Sequence, residues 1–250
     1  MTIKRQLFFI ATDTVELASC LYSGQNNLKK TLVILVHGYF HSTTMTEHAK
    51  LFIPLAEQIA EKGMDTLLFD FEGHGLSSCT FKDTSANRRI DNLNLVIDWA
   101  HDRYDHIILV GFSMGGAASI YCTAERQEID GLVTWNTVPS LSPTSPSGAW
   151  YSHNPDAAVV DQNGPVFLTD RPEIDICDVY PTITCPKLHI QATNDFPGFE
   201  AEFAPIFDAA LEPKEKILIE GANHPFTLIK DRAILYKSTI EWLARLNSSF

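Results

Sequence analysis

Cleaving an acyl bond without a metal takes a hydroxyl nucleophile, an imidazole to receive its proton and a carboxylate to hold that imidazole in one tautomer. The sequence offers the first of these at Ser113, inside Gly111-Phe112-Ser113-Met114-Gly115. The bare G-x-S-x-G pattern says little; its flanks say more. Before it runs His106-Ile107-Ile108-Leu109-Val110, a short apolar, β-branched stretch that reads as a buried strand. After it comes the small, Ala-rich, helix-compatible run from Gly116 to Glu125. Strand, G-x-S-x-G, helix is the pattern of a nucleophile elbow. The chain reverses so sharply that the serine takes a strained backbone conformation, and glycines two residues away leave room for the turn.

The base and its orienting acid must come from loops at the carboxyl ends of neighbouring parallel strands. Two loops qualify. Ala192-Thr193-Asn194-Asp195 follows a strand ending at Gln191, and Gly221-Ala222-Asn223-His224-Pro225-Phe226 follows one ending at Ile219. The resulting order is Ser113, Asp195, His224. Among nine histidines, His101, His106 and His153 fall at element ends or in an irregular stretch, His189 lies inside a strand, and His74 precedes the serine. Asp70 and Asp170 are rivals to Asp195 as strand-end or turn aspartates. A carbonyl oxygen that turns negative needs two preorganised N–H donors. The Met114 amide at the helix start is one. The other belongs to His37-Gly38-Tyr39-Phe40-His41, where Gly38 lets the backbone turn inward and Tyr39 or Phe40 presents its amide. His37 and His41 have no acidic or thiolate companion and are not read as a metal pair.

Elements able to position these groups follow in order. Gln6–Ala11 and Val15–Tyr22 form an opening hairpin, and Thr31–Val36 is apolar enough to be buried on both faces. Helices are expected over Glu47–Lys62, with Leu51, Leu55 and Ile59 on one face and Gly63 as a stop, and over Asp91–Ala100, Phe199–Leu211 and Ile229–Leu246. Strands are expected at Thr66–Phe71, His106–Val110, Gly131–Trp135, Lys187–Gln191 and Lys216–Ile219. This alternation predicts an α/β fold, a mostly parallel sheet with helices on both faces. Ser140–Pro181, rich in Pro, Ser, Asp and Gly, reads as an insertion within one domain spanning 1–250. It is too long for an ordinary connection, and it supplies Trp150, Tyr151 and Phe167 as pocket-lining groups.

The 250 residues carry 45% hydrophobic and 20% charged side chains, which is globular composition, and a net charge of −12, which disfavours nucleic acid and anionic membrane surfaces as partners. The five cysteines are scattered without a C-x-x-C pair, so neither a disulfide framework nor zinc is expected, and a reducing, cytoplasmic setting fits. Leu7–Ala11 is too short for a signal peptide and reads as a first strand; no apolar run approaches the ~20 residues that span a bilayer.

With His37-Gly38, Phe69-Asp70-Phe71-Glu72-Gly73-His74-Gly75-Leu76-Ser77, Gly111–Gly115, Asp195 and Gly221-Ala222-Asn223-His224 in this order, the chain resembles the α/β-hydrolase superfamily from about Thr31 onward. Within it the chain is similar to small single-domain cinnamoyl and feruloyl esterases and to the serine-aminopeptidase/monoacylglycerol-lipase group. The resemblance implies hydrolysis of a small or medium acyl or aromatic ester through an acyl-enzyme, with neither cofactor nor metal. It also implies that Ser140–Pro181 caps the site. Ala192 departs from the glycine usual three residues before the acid, which puts that turn in question. An acyl thioesterase uses the same machinery, and a non-catalytic binding module uses the same scaffold; the latter is expected to lack a triad member. The partner is a small-molecule ester, and pairing into a homodimer is left open.

Overall fold

A computed structural model describes residues 3–24, 28, 30–39, 49–142, 145 and 170–250. Eight strands form one sheet in the order β1-β2-β4-β3-β5-β6-β7-β8. β1 (Lys4–Ala11) and β2 (Glu16–Ser23) make the expected antiparallel hairpin, and β2 continues antiparallel onto β4 (Asp65–Phe69). From β4 through β3 (Thr31–Val36), β5 (His106–Phe112), β6 (Ile129–Trp135), β7 (Lys187–Asn194) and β8 (Lys214–Asn223) every pairing is parallel.

Parallel strands need crossovers, and helices that pack on a sheet bury both its faces. Hence all six residues of β3 are buried. Leu32, Ile34 and Val36 point into one core, which also receives Leu93, Val96 and Ile97 from α2 (Ala86–His101) and Ile120 from α3 (Met114–Glu125). Val33 and Leu35 point into the other, with Leu55 and Ile59 of α1 (Ala49–Glu61). A short helix, α4 (Ile176–Val179), precedes β7; α5 (Phe199–Ala209) links β7 to β8, and α6 (Ile229–Ser249) closes the chain. Gly63 ends α1 with φ +83°, the left-handed stop its position predicts.

Several boundaries differ from expectation. α2 begins at Ala86 rather than Asp91, because Ser85 caps it by accepting from the Arg88 amide at 3.1 Å. β4 stops at Phe69. β7 and β8 run on to Asn194 and Asn223, so Ala192–Asn194 and Gly221–Asn223 are strand rather than loop. Ala192 therefore sits in extended pairing with β8, where alanine is as suitable as glycine.

The sheet reverses direction of travel at β3: β4 lies on one side of it and β5 on the other. The crevice outside the carboxyl ends of β3 and β5 is the switch point where open α/β sheets bind ligands. The insertion leaves after β6 and returns before β7. Its described base is clasped by the Ser140 hydroxyl, which donates to Asp175 Oδ2 at 2.6 Å, and is rooted by buried Leu141, Ile176 and Tyr180. Trp150, Tyr151, Phe167 and His153 lie outside the described residues, as do Phe40 and His41. No helix among the described residues is long and apolar enough to cross a membrane. All five cysteines are free thiols.

Candidate active site

Ser113 occupies the turn between β5 and α3 with φ 55° and ψ −121°, a conformation that strains any residue with a Cβ. Both flanking glycines are required by what surrounds them. A Cβ on Gly111 would stand 2.6 Å from Gly115 O, Gly116 Cα and Ser119 Oγ; one on Gly115 would stand 2.3 Å from Val36 O and 2.4 Å from His37 O. The elbow is thus folded tightly on itself and pressed against the end of β3. Ser113 O accepts from the Gly116 and Ala117 amides, while the Met114 amide belongs to the first turn, where N–H groups have no intrahelical acceptor.

Ser113 Oγ lies 2.9 Å from His224 Nε2, and His224 Nδ1 lies 2.5 Å from Asp195 Oδ1. With the carboxylate ionised, Nδ1 carries the proton and donates, and Nε2 accepts from the serine hydroxyl. Ser113 and His224 are buried, and the Asp195 carboxylate is almost wholly enclosed. Phe196 stacks on the imidazole with centroids 4.2 Å apart, Phe199 meets it edge-on and Phe112 lies beneath. The ring is held by packing as well as by its two hydrogen bonds.

Among the described residues Asp195 accepts from three donors: His224 and the Phe196 amide (2.6 Å) on Oδ1, and the Gln191 carboxamide (2.6 Å) on Oδ2. The end of β6 ties this side together. Asn136, fully buried with φ 43°, donates through Nδ2 to His224 O at 2.7 Å and accepts from the Ala192 amide at 2.7 Å. One side chain thereby links the strand that leads to Asp195 to the turn that carries His224.

On the opposite side of Ser113, the segment after β3 is held by its carbonyls. Gly38 O accepts from Arg89 Nη1 at 3.2 Å and from His37 Nδ1 at 2.8 Å. Tyr39 O accepts from Arg89 Nη2 at 2.9 Å. In a trans peptide the N–H points opposite to the C=O, so drawing Gly38 O toward Arg89 turns the Tyr39 amide the other way. Arg89 is itself buried and lies over the Phe71 and Tyr39 rings. Burial and then the neighbouring guanidinium push His74 down to about 4, so its imidazole is neutral.

The rival residues have other tasks. His37 Nε2 accepts from the Phe71 amide at 3.0 Å, which with Nδ1 donating leaves no lone pair for a metal. No metal-binding group of His, Cys, Asp and Glu occurs among the described residues. His106 stacks on Phe250, and His189 bonds Thr134 and Gln191. Asp170 Oδ1 accepts from the Asn87 side-chain amide at 2.8 Å, and hydrogen bonds from the Ser85 hydroxyl and then from Asn87 hold its carboxyl below the usual range. Asp70 backs the hairpin through its amide to Ala18 O and its carbonyl to Ser77. Sequence reasoning did not find Arg89, Asn136 or Gln191. An arginine in a polar helix turn and a glutamine closing a strand carry no visible signal. Asn136, directly after a strand and tolerant of positive φ, carried a faint one.

A mostly parallel sheet bearing a serine on the tight β5–α3 turn, with aspartate and histidine at the ends of β7 and β8, defines an α/β-hydrolase. The sequence pattern of the serine aminopeptidase S33 family matches residues 28–159, and the chain belongs to that family. The thermostable monoacylglycerol lipase of Bacillus sp. (strain H-257) is 24% identical over 233 residues, covering 85% of this chain and 90% of that protein. Est1E from Butyrivibrio proteoclasticus superposes with a TM-score of 0.78 at 20% identity, over 97% of this chain and 99% of that one. A second Est1E structure, with ferulic acid bound, gives 0.74 at 21% identity over 96% and 99%. The Pyrococcus furiosus esterase Pf2001 gives 0.75 at 21% identity over 98% and 91%.

Proposed function

We propose that this hydrolase is a serine esterase that cleaves carboxylic esters of small, medium or aromatic acids through an acyl-enzyme. The observation that carries the reading is the continuous hydrogen-bonded line from Ser113 through His224 to Asp195. Ser113 Oγ attacks the ester carbonyl while its proton passes to His224 Nε2. Asp195 holds the Nδ1 proton and stabilises the imidazolium. The carbonyl oxygen, now negative, is met by the Met114 and Tyr39 amides; such donors are worth about 2.7–4 kcal/mol each. His224 returns the proton to the departing alcohol, and water, deprotonated by the same imidazole, releases the acid and restores Ser113.

The lipase and esterase relatives support ester bonds as the substrate class, and the ferulate complex of Est1E supports room for an aromatic acid in this type of fold. Residues 140–181 form the cap in this reading, with Trp150, Tyr151 and Phe167 touching the acyl or aromatic part of the substrate.

The test is a fluorophosphonate probe followed by a panel of p-nitrophenyl acyl esters, hydroxycinnamate esters, monoacylglycerols and acyl thioesters. Labelling at Ser113 alone, with oxygen esters preferred, is the expected result. Labelling elsewhere rejects the nucleophile, and preference for thioesters rejects the substrate class. Trp150→Ala and Phe167→Ala should reorder the esters by about 1–3 kcal/mol in kcat/KM while sparing a minimal acetate ester. Equal loss on every ester would make these aromatics structural.

A further inference from the structure

Behind Asp195 the polar chain continues inward. Gln191 Nε2 donates to Asp195 Oδ2 at 2.6 Å, Gln191 Oε1 lies 3.2 Å from His189 Nε2, and His189 Nδ1 lies 2.9 Å from Thr134 Oγ1. Thr134, His189 and Gln191 are each at most 1% exposed, so water does not substitute for a missing partner. Donor and acceptor accounting leaves one consistent arrangement. An ionised Asp195 can only accept, so the amide nitrogen of Gln191 faces it and the amide oxygen faces inward. His189 must then carry its proton on Nε2, and its Nδ1 accepts from the Thr134 hydroxyl. We infer that His189 is a positioning residue of the active site, fixing the Gln191 carboxamide in the orientation that keeps Asp195 Oδ1 turned toward His224.

The surroundings suit a residue that orients and does not titrate. Its ring stacks on Phe203 of α5 at 4.0 Å and 19°, and Phe207 lies 6.2 Å away. Burial pushes His189 down to about 3, which keeps it neutral with one donor and one acceptor nitrogen. The titratable groups around the chain are Asp195 and His224 at its outer end, Tyr180 from the turn before β7 and Lys216 from β8. Reversing the Gln191 amide would place oxygen against oxygen at Asp195 and would force His189 into its other tautomer. Without the Gln191 donor, the partners of Asp195 among the described residues are those on Oδ1, and none of them opposes rotation of the carboxylate from Oδ2.

This inference rests on Ser113, His224 and Asp195 acting as proposed above, and its test separates the two. His189→Phe keeps the stack on Phe203 and removes both hydrogen bonds. Two readouts apply: steady-state ester hydrolysis, and the low-field proton resonance of the Asp195–His224 hydrogen bond, which needs no turnover. Expected are a fall in kcat of about tenfold to a hundredfold with KM nearly unchanged, and an upfield shift or broadening of the resonance. A wild type that hydrolyses no ester while its resonance still responds to His189→Phe would defeat the esterase reading and leave the positioning role standing. An unmoved resonance overturns the inference, as does wild-type kcat in the variant. Should His189→Phe fail to fold, Gln191→Glu decides. Two carboxyls in one site resist ionising together, so the introduced group donates to Asp195 while protonated and gives up its proton only at higher pH, where kcat should show an alkaline decline absent from the wild type. Its absence refutes the inference equally.

Discussion

The two flanks of Ser113 are built by opposite means. On the nucleophile side, β3, β5 and α3 are brought together by missing atoms: Gly111 and Gly115 leave no space for a Cβ, and the strain at Ser113 is enforced by backbone contact. On the side of Asp195 and His224, side-chain amides make connections that backbone pairing does not: Asn136 joins the end of β6 to β7 and to the turn after β8, and Gln191 of β7 reaches Asp195. The first design fixes geometry through steric exclusion, which is steep and insensitive to salt or pH. The second fixes it through directional hydrogen bonds, which can be removed one at a time. Substitutions on the first flank should therefore act abruptly, and those on the second by degrees.

Removing the groups proposed to react sets the scale. Ser113→Ala should lower kcat on the order of 10⁴–10⁶-fold, and Asp195→Asn on the order of 10⁴-fold through the wrong tautomer of His224. A nearly silent Asp195→Asn beside a crippling Asp70→Asn would show that the acid is misplaced. Gly115→Ala comes next. Its methyl group must push α3 from β3 and displace the Met114 amide, costing about 10²–10³ in kcat; a change of less than about threefold would break the claim of steric control. Arg89→Met, which releases the Gly38 and Tyr39 carbonyls, should cost kcat on the order of 10²-fold, with Arg89→Lys unable to restore the two-pronged hold. Asn136→Ala should be milder in rate, about tenfold, and should lower stability by about 1–3 kcal/mol because the Ala192 amide and His224 carbonyl lose a buried partner.

The most gradual effect is one of pH on stability, and both flanks share it. His74 and His189 titrate near 6.5 when unfolded but are pushed to about 4 and about 3 in the native protein. Below the unfolded value the unfolded chain binds more protons, so native stability is full above about pH 6.5 and falls as pH drops. Each buried histidine should cost up to about 1.4 kcal/mol per pH unit below that point. Thermal melting between pH 7 and pH 5 (~two units) should show the decline, and His189→Phe should flatten it.

This contrast also explains what could be read from the residues. The fold was legible because β3, β5 and the Leu51-Leu55-Ile59 stripe carry strong periodicity, and crossovers between parallel strands leave few topologies. The elbow was legible because steric exclusion demands glycine, and glycine is visible at its spacing. That Asp195 and His224 would meet near Ser113 was legible from their places after strands, although both strands run further than their apolar runs suggest. Arg89, Asn136 and Gln191 were not legible, since each acts through a partner 50 or more residues away, apart from the short reach from Gln191 to Asp195. An amide's meaning depends on which strand lies beside it, and only the assembled sheet supplies that.

The clasp between Ser140 and Asp175 has a consequence for engineering. Because Ser140, past the end of β6, donates to Asp175, ahead of α4, at 2.6 Å, the two ends of the stretch between them are held together. Closing a longer loop across fixed ends costs only about 0.6 kcal/mol for each doubling of its length. The stretch between these two residues can therefore be treated as a cassette: foreign segments of quite different length can be grafted between the same two ends, and the sheet need not be redesigned to receive them.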